Sequence, residues 1–313
     1  MKLDERLVHL LLLALLAVAP AIVYPVFLMK VLCFALFATA FNLLIGYVGL
    51  LSFGHAMFFG FSAYITAHTV KEWGWTPELG ILVGTLVAGL LGLVTGAIAI
   101  RRQGIYFAMV TLALAQMVFF FCVQAPFTKG EDGIQGVPRR PLLGVLDISN
   151  DLSLYYVVLA IFTIGFLVIY RTIHSPFGQV LKAIRENEPR AVSLGYRVDQ
   201  YKLLAFVISA AISGLAGSTK AIVFQLASLT DVQWQMSGEV VLMTLVGGLG
   251  TVLGPAVGAA VIITMQNYLK GFGEWVLVIQ GLIFVVTVLL FRRGIVGEIT
   301  ALWNGRGKDQ PGH

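Results

Sequence analysis

The sequence predicts an all-α polytopic membrane protein, a single domain over residues 1–313 with about ten transmembrane helices. Three observations predict it. Hydrophobic residues make up 58% of the chain and charged residues only 12%, whereas a soluble domain is nearer half apolar and a quarter charged. The apolar residues fall in charge-free runs, several of them near the ~20 residues needed to cross a bilayer. There are also 34 glycines, small residues that let membrane helices approach closely. Together these exclude an ordinary soluble domain, a disordered chain and a nucleic-acid-binding module.

The spans follow in order. Residues 7–29 form the first. Ala17-Val18-Ala19 resembles a secretory cleavage box, but Pro20 follows it and disfavours cleavage, so residues 7–24 of this run are read as a retained first span. The run 31–70 is too long for one helix, and turn chemistry at Gly46, Gly49 and Gly54 splits it in two. Residues 79–100, 103–128, 152–170 and 203–219 each supply one span. The run 240–269 breaks at Gly250, Gly254 and Pro255 into two short halves, which either cross or are re-entrant. Residues 275–291 complete the set.

The net charge of +5 is informative by location. With Met1 in the cytoplasm, an even number of spans places His313 there too. About two-thirds of the 21 Lys and Arg then lie on the inner side, as the positive-inside rule requires. Lys220 and Glu239 fall near outer helix ends, where snorkelling accounts for them. Cys33 and Cys122 sit in apolar runs and read as packing residues, not a disulfide.

Two connections are long. The outer loop 126–151 contains Glu131, Asp132 and Gly133 and reads as a shaped periplasmic surface or an ordinary hydrophilic loop. The inner segment 171–202 has more structure. Ser175 is a good N-cap and Pro176 a good first helical residue. Phe177, Val180, Leu181 and Ile184 then form one apolar stripe at helical spacing. Pro189 starts a second short helix, which Gly195 ends. The expectation is a cytoplasmic helix–turn–helix whose exposed stripe needs a partner. A helix lying on the lipid surface is the other reading, and Glu186 and Glu188 argue against it.

Catalytic signatures are missing. The sequence has no P-loop pattern, no metal-binding His spacing and no nucleophile elbow, which argues against an enzyme and predicts no bound metal. The polar residues within the spans are mild. Asn42, Ser52, His55, Thr111 and Gln116 either tie helices together or line a pathway. Gly46-Tyr47-Val48-Gly49 and Gly247-Gly248-Leu249-Gly250, the latter running on to Gly254, are glycine-rich breaks, one in each half of the chain. Interrupted spans at matching places point to a transport pathway, and close helix packing is the alternative. The residues therefore describe a membrane transporter with no energy source of its own and a cytoplasmic docking element. A separate ATP-hydrolysing subunit would meet both needs. An ion-gradient secondary transporter would instead need intramembrane acids that the spans lack.

Several stretches carry a family resemblance: 41–56, 104–113, 130–136, and above all Ser175-Pro176-Phe177-Gly178 through Ala183-Ile184-Arg185-Glu186 to Gly195-Tyr196. In these the chain resembles the LivM-type permease subunits of branched-chain amino acid ABC importers, from about residue 41 to 291. It departs at Lys129-Gly130, where a Gly-Gly pair is expected. The resemblance implies a multi-pass protein of the bacterial inner membrane that binds no cofactor itself. Its partners would be a second, LivH-type permease, two ABC ATPases that use ATP and Mg, and a periplasmic binding protein. It implies that segment 171–202 couples to the ATPase, with Ser175, Pro176, Phe177, Gly178, Ala183, Arg185, Glu186 and Gly195 at the contact. It also implies that Glu131, Asp132 and Gly133 face the binding protein. Permeases for urea, short amides or aromatic amino acids share these features.

Overall fold

The structure, a computed structural model, describes residues 5–142, 144, 147–269, 271, 275, 278, 279, 281, 282, 285, 289 and 294–303. It is built from helices: α1 (Glu5–Val18), α2 (Pro25–Asn42), α3 (His55–Lys71), α4 (Pro77–Ala99), α5 (Ile105–Gln124), α6 (Asp151–His174), α7 (Pro176–Glu186), α8 (Glu188–Ser193), α9 (Val198–Phe224), α10 (Trp234–Gly247), α11 (Gly254–Leu269) and α12 (Gly294–Trp303). Two short strands, β1 (Ile134–Gln135) and β2 (Leu226–Ala227), pair antiparallel.

Among the described residues, five helices are long and apolar enough to cross a membrane: Pro25–Val48, α4, α5, α6 and α9. The second half of the 31–70 run is α3, with 17 residues. The halves of the 240–269 run are α10 and α11, with 14 and 16 residues. At 1.5 Å per residue a 14-residue helix covers about 21 Å, short of a ~30 Å hydrocarbon core. The predicted span 275–291 lies largely outside the described residues.

The first boundary differs from the expectation. The chain turns at Ala19–Ala21 and restarts at Pro25, the first helical residue of α2. Residues 25–29 therefore belong to the second helix. Lys30, which ended the first charge-free run, lies inside α2 with its ammonium 5.9 Å from the Phe34 ring. Proline geometry, not charge, sets this boundary.

Helix α9 runs through the middle of the bundle, packed on α2, α3 and α4. Small residues permit the close approach. A methyl on Gly217 would lie 1.9 Å from the Phe59 carbonyl oxygen, and one on Gly92 would lie 2.5 Å from the Ala210 Cβ. Side-chain hydroxyls tie the same helices. Ser62 Oγ donates to the Gly214 carbonyl at 2.8 Å, and Ser209 Oγ to the Ala40 carbonyl at 2.6 Å. Cys33 and Cys122 are buried free thiols.

Loops assigned to one side by charge meet at one end of the bundle. At the end away from segment 171–202, Arg139 Nη1 donates to Asp151 at 2.8 Å and Nη2 to the Val223 carbonyl at 2.7 Å. Lys71 Nζ donates to the Gln135 carbonyl at 2.6 Å, and Lys129 pairs with Glu72 at 3.2 Å. The Lys129 ammonium holds the Glu72 carboxyl below its usual range. Lys220 does not snorkel. Its ammonium pairs with Asp231, a residue only 1% exposed, and lies 5.8 Å from the Phe59 ring.

A buried ion pair costs most when one partner is removed, because the other charge is left uncompensated. Asp231→Asn should therefore destabilise the protein by about 3–5 kcal/mol. A Lys220→Met/Asp231→Leu pair should recover most of that loss. Thermal unfolding in detergent, followed by fluorescence-detected size exclusion, checks both.

Candidate functional site

The two glycine breaks meet. Helix α2 widens after Asn42 into a π-helical turn, Leu43–Val48, and stops at Gly49. Gly49 has φ +81°, a left-handed conformation that glycine adopts without steric cost. The second break lies between α10 and α11. A methyl on Gly46 would sit 2.8 Å from the Gly250 amide nitrogen, so only glycine permits this contact. Asn42, 1% exposed, joins the two with both ends of its amide. Its Nδ2 donates to the Thr251 carbonyl at 2.9 Å, and its Oδ1 accepts from the Gly250 amide at 3.1 Å. Thr251 Oγ1 in turn accepts from the Gly254 amide at 3.1 Å, at the start of α11. Gly247 closes the junction: a methyl there would lie 1.9 Å from the Gly254 carbonyl oxygen.

The chain between Gly49 and α3 is pinned to α5 and α10. Thr111 Oγ1 accepts from the Phe53 amide at 3.2 Å. Ser52 Oγ accepts from the Gly54 amide at 3.2 Å. A methyl on Gly54 would lie 2.7 Å from the Thr111 carbonyl oxygen. Ser237 of α10, which the sequence reading missed, accepts from the Ala56 amide at 2.9 Å. His55 is fully buried, with Nε2 2.9 Å from Ser209 Oγ and rings of Phe41, Phe58 and Phe206 around it. It ties α3 to α9 within the bundle. Gln116 lies further along α5, half-buried and apart from this cluster.

Segment 171–202 folds at the same end. Ser175 caps α7 by accepting from the Gly178 amide at 3.3 Å, and Pro176 opens the helix. Asn187 caps α8 by accepting from the Arg190 amide at 3.0 Å. Gly195, at φ +88°, ends it.

The apolar stripe, however, is not free for a partner. Leu181 and Ile184 are buried against the protein's own core, and the Phe177 ring stacks on Tyr201 at 5.6 Å. The apolar side chains that stay exposed lie on and after α8: Val192, Leu194 and Tyr196. Gly178 is also turned inward, and a methyl there would lie 2.2 Å from the Ile173 carbonyl oxygen. Its role is to let the chain turn from α6 into α7. Ala183, Glu186 and Gly195 remain on the exposed surface. Arg185 is exposed as a residue, but its guanidinium donates to the Gly46 carbonyl.

A second anchor went unread in the sequence. Glu188 Oε1 accepts from Lys202 Nζ at 2.7 Å and from Gln103 Nε2 at 3.0 Å. Lys202 is only 3% exposed. This ties α8 to α9 and to the α4–α5 connection.

At the opposite end, Glu131 and Asp132 are exposed, whereas Gly133 is buried. A methyl on Gly133 would lie 2.4 Å from the Ala227 carbonyl oxygen, so this glycine serves the β1–β2 pairing. Lys129 and Gly130 have φ of +61° and +60°. That geometry gives a physical reason for a Gly-Gly pair at these positions.

The chain matches the family described as "Branched-chain amino acid transport system / permease component" over residues 25–288, and it belongs to that family. It is similar to the high-affinity branched-chain amino acid transport system permease proteins LivM of Salmonella typhimurium and Escherichia coli. Each is 26% identical over 82% of this chain and 65% of the relative. The chain thus spans about two-thirds of the length of these curated relatives. It is also similar to the ribose import permease protein RbsC of Bacillus subtilis, 25% identical over 70% of each chain. No solved structure matches it.

Ser175→Ala removes the α7 cap and should cost about 1 kcal/mol. Gly178→Ala should cost more, because the new methyl meets backbone that cannot move without shifting α6. Limited proteolysis of the 171–202 segment, with thermal unfolding, ranks the two.

Proposed function

We propose that this chain is a transmembrane permease subunit of an ABC importer, moving branched-chain amino acids from a periplasmic binding protein into the cytoplasm. It works in the bacterial inner membrane beside a second, LivH-type permease, and separate ATPase subunits supply the energy. The observation that carries this reading is the placement of segment 171–202. It folds as a capped helix pair at the end where the two broken spans meet, with Val192, Leu194 and Tyr196 exposed.

The mechanism follows from that placement. ATP binding draws the ATPases together, and their motion reaches the permease through α7 and α8. The spans tilt, the pathway opens to the outer side to receive solute, and hydrolysis resets it. The ATPase seats against Ala183, Glu186, Gly195 and the exposed apolar groups of and after α8. Glu131 and Asp132 face the binding protein at the other end. The charges within the broken spans are engaged inside the protein, Lys30 beside the Phe34 ring and Glu239 with Gln266, and the remaining mild polarity of the spans suits an apolar zwitterion. Similarity to a ribose permease supports a second reading, in which the solute is a small polar molecule.

The test is uptake of labelled leucine in cells carrying or lacking this chain. Arsenate, which depletes ATP, should stop uptake, whereas an uncoupler added with ATP preserved should leave it running. Unlabelled isoleucine and valine should compete; competition by ribose or acetamide instead would assign the other solute class. A Val192→Glu/Leu194→Glu variant should reach the membrane normally and lose uptake by about tenfold or more, since it would bury charge against the ATPase. Unchanged uptake would remove this surface from the ATPase contact.

A further inference from the structure

We propose that Arg185 and Asn42 form a relay that makes α7 and the two glycine breaks move as one unit. Arg185 is then a positioning residue for transport, with its guanidinium directed into the membrane domain. This rests on the ABC permease reading above and assigns that site's means of transmission.

The geometry has three parts. First, a helix end leaves its last carbonyls without intrahelical donors. The turn Leu43–Val48 ends at Gly49, and the Gly46 carbonyl finds its donor on another element, the Arg185 guanidinium. A cation at a helix C-terminus is also favoured by the helix dipole. Second, Arg185 sits close to both breaks. A methyl on Gly49 would lie 3.2 Å from Arg185 Cγ, and one on Gly250 would lie 3.4 Å from Nη1. One helical turn earlier, Lys182 places its ammonium 5.7 Å from the Tyr47 ring, so α7 grips the first break twice on one face. Third, Asn42 carries the connection across. Both of its hydrogen bonds go to the second break, at Gly250 and Thr251, so separating the breaks would orphan a buried amide.

The linkage is selective. The other anchor of the segment, Glu188 with Lys202 and Gln103, ties α8 to α9 and the α4–α5 connection and touches neither break. Beside the apolar packing of Phe177 and Leu181, the segment thus has two polar anchors, and of these the Arg185 side leads to the broken spans. A push on α7 therefore displaces the ends of α2 and α10 together with the start of α11.

The experiment uses the full importer complex in proteoliposomes, with the binding protein present. Arg185→Ala and Asn42→Ala should each keep the ATPase subunits bound and hydrolysing ATP. Uptake per ATP should fall by about tenfold, and Arg185→Lys should restore part of it. Loss of the ATPase subunits from Arg185→Ala would make Arg185 a partner contact and overturn the relay, as would unchanged uptake per ATP.

A second measurement does not depend on how those variants fold. Spin labels at Gln179→Cys and Leu249→Cys, both exposed positions, report the separation of α7 from the second break. That distance should stay fixed between the nucleotide-free and vanadate-trapped states of the otherwise unaltered complex. A change would show that α7 and the break move independently and would overturn the proposal. A wild-type chain that brings down no ATPase subunit at all would overturn the ABC reading instead.

Discussion

A helix that stops inside a protein leaves terminal backbone groups without intrahelical partners, and burial makes leaving them unpaired costly. The structure around the second and third helices is organised by that constraint. Helix α2 ends in a π-helical turn short of α3, and α10 ends short of α11. Two broken ends buried without partners would be costly apart. They are placed against each other, and Asn42 donates to one exposed backbone group and accepts from another. Glycines at 46 and 250 follow from the same constraint, because the backbones approach too closely for side chains. Thr251 then starts α11 as the chain leaves the junction.

The rest of the bundle supplies the rigid frame that lets such a junction persist. Helix α9 meets α3 and α4 through Gly217 and Gly92, and Ser62 and Ser209 add bonds to backbone carbonyls. In lipid there is little hydrophobic drive between helices, so close packing and these bonds hold them together. His55 belongs to this frame. Its ring is caged by phenylalanines and bonded to Ser209, which gives it a packing role despite its place next to the first break.

Much of this was legible in the sequence, and the failures have physical causes. The glycine breaks, the Ser175 cap, Pro189 and Gly195 follow from local backbone chemistry, which a sequence carries directly. Charge-free runs marked most helices but misplaced the first boundary, because Lys30 is tolerated inside α2 and Pro25 is what starts it. Helical spacing revealed the stripe Phe177, Val180, Leu181 and Ile184 but not what covers it. That depends on Tyr201 and the core beneath, which periodicity cannot locate. Contacts between distant residues were invisible for the same reason: Asn42 with Gly250, Glu188 with Lys202, and Lys220 with Asp231. Asn42 was readable as a polar residue within a span, while its part in joining two breaks appears only once the chain is folded.

The broken spans are held in a packed frame, and the segment that reaches them lies at one end of the bundle. In the proposed function, another protein moves that segment. Gentle purification of the tagged chain from its native cell, with mass spectrometry of what accompanies it, tests this most directly. Two P-loop ATPase subunits and a second permease should be found in stable association with it. A homogeneous preparation of this chain alone, able to drive uptake from an ion gradient in vesicles, would contradict the proposed function.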